Sequence, residues 1–280
     1  MTSRHSAAMA ALSLVLLTLA SSVFADDSLA RARKNGVTFG FSNEPPYAYL
    51  GPDGKAAGMN AEIVIAIFKH IGVNEVKPVL TEWASLIPGL KAGRFDIAVP
   101  MFILPSRCRE VAFSEPLRKT PGAMLVAKGN PKAIHSYEDV AKNPQVKLAV
   151  MAGAAEQNYA RRAGVPEDRI LPFQDPGALL SAVKSGRADA AALTPGSVQS
   201  MAEKGGGDVE SATPFVSAPW MIAYAAPPFR KEDTDLRQAF NAEVKSFIGS
   251  DEWKAIVARY GVGAETLPGD MKTETLCNAS

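Results

Sequence analysis

"KAGRFDIAVP" occupies residues 91–100, and a near copy, "KSGRADAAAL", occupies residues 184–193. Each reads as a helix end, a glycine, a basic residue, an aspartate and an apolar run. In the longer first copy, "TEWASLIPGLKAGRFDIAV", Leu86, Ile87 and Leu90 give a short helix its apolar side. Gly93 is placed to end that helix, because glycine enters the left-handed region without a Cβ clash. Phe95 to Val99 is then expected as a buried strand. In the second copy Asp175 can cap the helix, Pro176 sits where the first turn tolerates it, and Leu179, Leu180 and Val183 form the apolar stripe. Gly186 closes the helix and Asp189 to Leu193 is the strand. Each half of the chain therefore holds a helix that feeds a sheet through the same tight turn.

The remaining segments extend the alternation. "GVTFGFS" (36–42) and "VKLAVMA" (146–152) are strand candidates. "AEIVIAIFKHIGV" (61–73) has the helical period, Ser136 to Asp139 forms a capping box, and 233–250 and 251–262 are amphipathic helices. Such alternation argues for α/β layers. The apolar stretches 122–129 and 219–229 leave and rejoin the first half. Two such crossings make the middle of the chain an insertion. The expected organisation is a first lobe of 26–125 and 225–280 and an inserted second lobe of 126–224. A cleft between two α/β lobes is a favoured ligand site.

Residues 1–25 stand apart. Arg4 and His5 precede an apolar stretch from about Ala7 to Ala20, and Val23-Phe24-Ala25 offers small residues for cleavage. This is the layout of a secretory signal peptide, too short for a spanning helix. About 255 residues then remain as an exported protein, expected in the periplasm and as a monomer. The formal net charge is +1, from 30 Lys and Arg against 29 Asp and Glu, so no electrostatic footprint for nucleic acid or anionic lipid exists. Cys108 and Cys277 are the two cysteines. In an oxidising compartment such a pair is expected to bond and staple the tail to the first lobe, free thiols being the other reading.

"FSNEPPYAYLGPDGKAAGMNAEI", "WASLIPGLKAGRFDIAV", "SRCREVAFSEP" and "PPFRKED" resemble the type II periplasmic solute-binding proteins of polar-amino-acid ABC transporters. "LIPGLKAGRFD", "SRCREVAFSEP" and "HSYEDVAKNP" are most similar to those that bind ectoine and hydroxyectoine. The resemblance implies a two-lobed fold with a central cleft and two crossover strands. It implies hinge closure on one small zwitterion and delivery to a permease in the inner membrane. No cofactor, metal or catalytic residue is expected.

Within that frame Arg107, just before "EVAFSEP", is expected to take a carboxylate on its planar fork. Glu44 is placed to pair with a cationic nitrogen. Tyr47, Trp83 and Phe102 match the positions of an aromatic wall, worth about 0.5–2 kcal/mol per cation contact. Four positions depart from ordinary amino-acid binders. Leu104 stands where a threonine is usual, Ala154 and Ala155 where a Ser or Thr pair is usual, and Thr194 where an aspartate usually holds an α-ammonium. That leaves backbone N–H groups near Ala155 and the Thr194 hydroxyl on the second side, and favours a delocalised or substituted cation.

Two rival classes carry less. A periplasmic dehydratase of this fold needs a positioned acid or base, for which Glu44 and Glu156 are the cleft candidates. His70 and His135 lie away from any expected site. No nucleophile with a paired base and no metal-ligand spacing is evident. A sensory or accessory binding module keeps the same cleft with a different partner.

Overall fold

The structure is a computed structural model that describes residues 27–279; the expected signal peptide falls outside the described residues. Two five-stranded sheets form the frame. The first runs Val76–Leu80, Val37–Phe41, Ile97–Ala98, Pro228–Phe229, Ala112–Phe113. The second runs Ile170–Phe173, Leu148–Met151, Ala190–Leu193, Ala123–Ala127, Val209–Ser211. In both, the strand that ends the repeated phrase stands third. Ile97–Ala98 is parallel to Val37–Phe41 and antiparallel to Pro228–Phe229. Ala190–Leu193 is parallel to Leu148–Met151 and antiparallel to Ala123–Ala127. The phrase occurs twice because each sheet uses it at the same place.

The turn inside the phrase explains its residues. Gly93 and Gly186 have φ of 69° and 70°, a region costly for any residue with a Cβ. The following aspartate then ties the turn to the neighbouring strand. Asp96 Oδ2 accepts from the Thr38 N–H at 2.8 Å, and Asp189 Oδ2 accepts from the Lys147 N–H at 2.8 Å. The second helix is Pro176–Lys184, with Asp175 Oδ1 accepting from the Ala178 N–H at 2.9 Å. The first begins as a 3-10 turn, Trp83–Ser85, and is helical only over Leu86–Lys91. Its strand is two residues long where five were expected. Asp96 turns to Thr38, and Pro100 has no N–H to extend the ladder.

A third, small sheet joins the two. Arg118–Thr120 and Ala223–Ala226 are the two crossings, and they pair with one another antiparallel, Ala225 opposite Arg118 and Ala223 opposite Thr120. Met101–Phe102 flanks Ala223–Ala226 on its other side. The strand Ala123–Ala127 straddles the expected boundary at 125/126 and is already part of the second sheet.

Helices cover both faces of the sheets. Phe39, Phe41, Phe68, Phe95, Phe229, Phe240 and Trp253 fill the core around the first sheet. Alternate residues of the second sheet face two separate apolar layers, Leu148 and Val150 toward Tyr137, and Ala149 and Met151 toward Leu179. Cys108 and Cys277 are joined, closing a sequence separation of 169 and docking Thr273–Cys277 on the short helix Pro105–Cys108. Among the described residues no helix is long and apolar enough to cross a membrane.

Candidate functional site

The carboxyl ends of strands from both sheets meet around one cavity with about 500 Å³ of empty space, mouth included. Ser42 follows the first strand of the first sheet, and Val99–Phe102 follow its third. Met151–Glu156 and Leu193–Thr194 occupy the equivalent places on the second sheet. Strand ends that converge in this way leave backbone and side chains free to meet a ligand.

Glu44, Tyr47, Trp83, Phe102, Ala155 and Thr194 all line this cavity. Glu44 is held across it. Its Oε1 accepts from Ser197 Oγ at 2.7 Å, and Ser197 Oγ in turn accepts from Thr194 Oγ1 at 3.1 Å. Burial raises the Glu44 carboxyl above the usual range, against the bonds from Ser197 and Thr194 and the charge of Arg118. Thr194 therefore acts through Ser197 on Glu44 as well as lining the wall. Tyr47 Oη accepts from the Gly196 N–H at 3.2 Å, a second bond between the two sides.

Arg107 departs from expectation. It is buried, but it does not line the main cavity; it faces a smaller adjoining one with Trp83, Met101 and Gly153. One terminal nitrogen donates to Phe102 O at 2.9 Å and the other to Gly153 O at 3.0 Å. Both arms of the fork thus hold backbone, and the second bond spans the cleft. The nearby Glu110 carboxylate is engaged by Lys91 and not by Arg107.

Three polar lining residues, Arg118, Asn60 and Ser42, escaped sequence reasoning, and a fourth, Glu156, was placed in the cleft without a binding role. Arg118 is 5% exposed, with Nε donating to Asn60 Oδ1 at 3.3 Å and its guanidinium 4.4 Å from the Tyr47 ring centroid. One face of Tyr47 is therefore already covered. Asn60 opens the helix Met59–His70. Ser42 Oγ is buried without a protein partner, a donor left for a ligand or water. Glu156, which entered only as a candidate acid, is 5% exposed and lines the second side. Burial, reinforced by the charge of Glu44 and opposed by Arg107, pushes its pKa up to about 7. In the sequence Arg118 stands beside Lys119 in "LRKT", and nothing local marks which of the two cations faces the cavity. His70 and His135 lie outside the cavity, against Glu243 and Glu252 and against Pro214 O. No metal-binding cluster exists among the described residues.

Residues 37–263 match the bacterial extracellular solute-binding proteins, family 3. The chain belongs to this family. A family 3 relative from Sinorhizobium fredii, a probable amino-acid ABC transporter periplasmic-binding protein, y4tE, is 37% identical over 98% of this chain and 93% of its own length. The crystal structure of EhuB in complex with hydroxyectoine has a TM-score of 0.83 at 34% identity, covering 91% of this chain and 99% of that one. The ancestral amino acid-binding protein AncCDT-1, a precursor of cyclohexadienyl dehydratase, has a TM-score of 0.71 at 26% identity, covering 83% and 98%. The α/β, two-sheet architecture with paired crossings is that of the type II binding proteins.

Proposed function

We propose that this family 3 protein captures a compact zwitterion of the ectoine or hydroxyectoine kind in the periplasm and presents it to an ABC permease in the inner membrane. The supporting observation is the cavity itself. A desolvated carboxyl, Glu44, stands among Trp83, Phe102 and Tyr47, with Ala154, Ala155 and Thr194 on the facing side. An α-ammonium needs several acceptors once buried. On the second side the Thr194 hydroxyl is already given to Ser197, and the one carboxyl, Glu156, is pushed toward its neutral form by burial, so charged acceptors are few there. A ring-delocalised or substituted cation asks for fewer bonds and gains from aromatic faces. The likeness to EhuB in complex with hydroxyectoine supports the same class.

The chain acts by binding alone in this reading. The lobes on either side of the crossings Arg118–Thr120 and Ala223–Ala226, the second taking in Ala123–Ala127, close by bending at those crossings, after removal of residues 1–25, and the protein works as a monomer. Arg107 helps keep the closed form by bridging to Gly153 O, and the N–H groups that its two carbonyl bonds do not use are available to a carboxylate in the adjoining cavity.

A thermal-shift screen tests this directly. The mature protein is unfolded and refolded to strip carried-over solute, then heated with ectoine, hydroxyectoine, glycine betaine, proline and polar amino acids. The cyclic or quaternary zwitterions are expected to raise Tm most. A rise with ordinary α-amino acids alone would contradict the reading.

A further inference from the structure

Arg118 is a buried charge in the cavity with no direct ion pair among the described residues; the charge of Glu44, on the same cavity, acts on it only at longer range. Its contacts are the neutral amide of Asn60 and the face of Tyr47. Burying a guanidinium without a directly bonded opposite charge is costly. The fold nevertheless fixes it there. Arg118 sits on the crossing strand opposite Ala225, and the Leu117 N–H donates to Ala225 O at 2.9 Å.

We propose that Arg118 is an anion-binding residue of this cavity and receives the carboxylate of the captured solute on the guanidinium nitrogens that Asn60 leaves free. The inference rests on the zwitterion reading above and adds the residue that selects its negative end. The stack on Tyr47 and the bond to Asn60 hold the guanidinium before a ligand arrives, so little rotamer entropy remains to be lost. Arg107, outside the main cavity and with two of its N–H groups on carbonyls, is the less available of the two arginines to a ligand there.

The neighbourhood also sets the solute's chemistry. Glu44 lines the same cavity and feels the charge of Arg118. A carboxylate on Arg118 therefore lies near a cation on Glu44. Solutes with adjacent opposite charges satisfy both. A dianion would oppose Glu44, and a cation without a carboxylate would leave Arg118 bare. Ser42 Oγ, also on the cavity wall and unpartnered, is a further donor available to an anionic group.

The test uses two probes on wild type, Arg118→Met and Arg118→Lys. The first is calorimetric titration with hydroxyectoine. Loss of about 30-fold or more is expected for Arg118→Met, since truncating one partner of a buried charge pair is costly, and about tenfold for Arg118→Lys, which keeps the charge without the fork. The second is Tm in sodium propionate against sodium chloride at equal ionic strength. Propionate is expected to stabilise wild type and not Arg118→Met, whatever the natural solute. Ligand-free Arg118→Met should melt close to wild type, because removing a buried cation that has no ion pair offsets the loss of its charge beside Glu44. Wild type that ignores hydroxyectoine but keeps an Arg118-dependent propionate effect would overturn the solute class and leave the anion site standing. A folded variant that binds hydroxyectoine within about threefold of wild type overturns the proposal. So does a ligand-free Tm drop in Arg118→Met with the propionate effect intact, which would make Arg118 a support for Tyr47 alone. If Arg118→Met does not fold, Arg118→Lys decides by the same threefold criterion.

Discussion

Ser197 Oγ donates a 2.7 Å hydrogen bond to Glu44 Oε1, tying the helix Pro195–Lys204 to the loop after the first strand on the opposite side of the cleft. With Tyr47 Oη on the Gly196 N–H and Arg107 on Gly153 O, it makes a set of closing bonds that involve no ligand atom. Ser197→Ala should weaken solute binding by about tenfold or more, the worth of one hydrogen bond to a charged group, roughly 1.5–3 kcal/mol. Calorimetry on the variant and wild type reads the difference. Unchanged affinity would mean that this bond does not help hold the closed form.

Gly196 lets the two sides approach. A Cβ there would come 2.9 Å from Tyr47 Oη and 3.2 Å from Pro46 Cγ. Gly196→Ala should therefore hold the cleft partly open and lower affinity, while the ligand-free Tm stays within a degree or two because the clash lies between the sides. Small-angle scattering with and without solute measures the closure. Tyr47→Phe removes the nearest of the clashing atoms and should restore part of the lost affinity.

The Glu156 carboxyl gives the ligand-free protein a pH signature. Burial raises its pKa in the folded state to about 7 from an ordinary 4.5, so between those pH values the folded protein holds a proton that the unfolded chain has lost. Stability from this group is complete below about pH 4.5 and falls as pH rises through 7. The change is on the order of 3 kcal/mol. Glu44, raised in the same direction, adds to the same slope. Tm measured from pH 5 to pH 8 should decline in wild type and decline less in Glu156→Gln. A Glu156→Gln profile as steep as wild type would contradict the assignment.

The disulfide anchors the helix that carries Arg107. Cys108 follows Arg107 directly, and its partner lies 169 residues on. Cys277→Ser should cost about 2–5 kcal/mol, chiefly by freeing the unfolded chain. Urea unfolding of the oxidised protein and the variant provides the comparison.

The frame of the fold was readable because the repeated phrase carries its own mechanics: a helix stripe, a left-handed glycine and an aspartate that bonds the next strand. Glu44, Tyr47, Trp83, Phe102, Ala155 and Thr194 were placed on the cavity by the family resemblance, with strand ends showing why the first-lobe positions could meet. Arg107 was placed by its sequence neighbourhood, yet its hydrogen bonds go to carbonyls of Phe102 and Gly153, and backbone acceptors leave no mark in a sequence. Arg118 was hidden for a similar reason. Its importance comes from the pairing of two crossings about 105 residues apart, Arg118 opposite Ala225, which local pattern cannot disclose. The latch of Ser197 on Glu44 depends on closure of one side against the other and was equally out of reach.

The central claim is that Glu44 and its aromatic neighbours select a compact zwitterion with a delocalised or substituted cation. Calorimetric titration of refolded mature protein with hydroxyectoine and with glutamine, in wild type and Glu44→Gln, addresses it most directly. Micromolar or tighter binding of hydroxyectoine by wild type, at least tenfold weaker in Glu44→Gln, with glutamine bound weakly by both, is the predicted result. Tight glutamine binding with no heat from hydroxyectoine would contradict it.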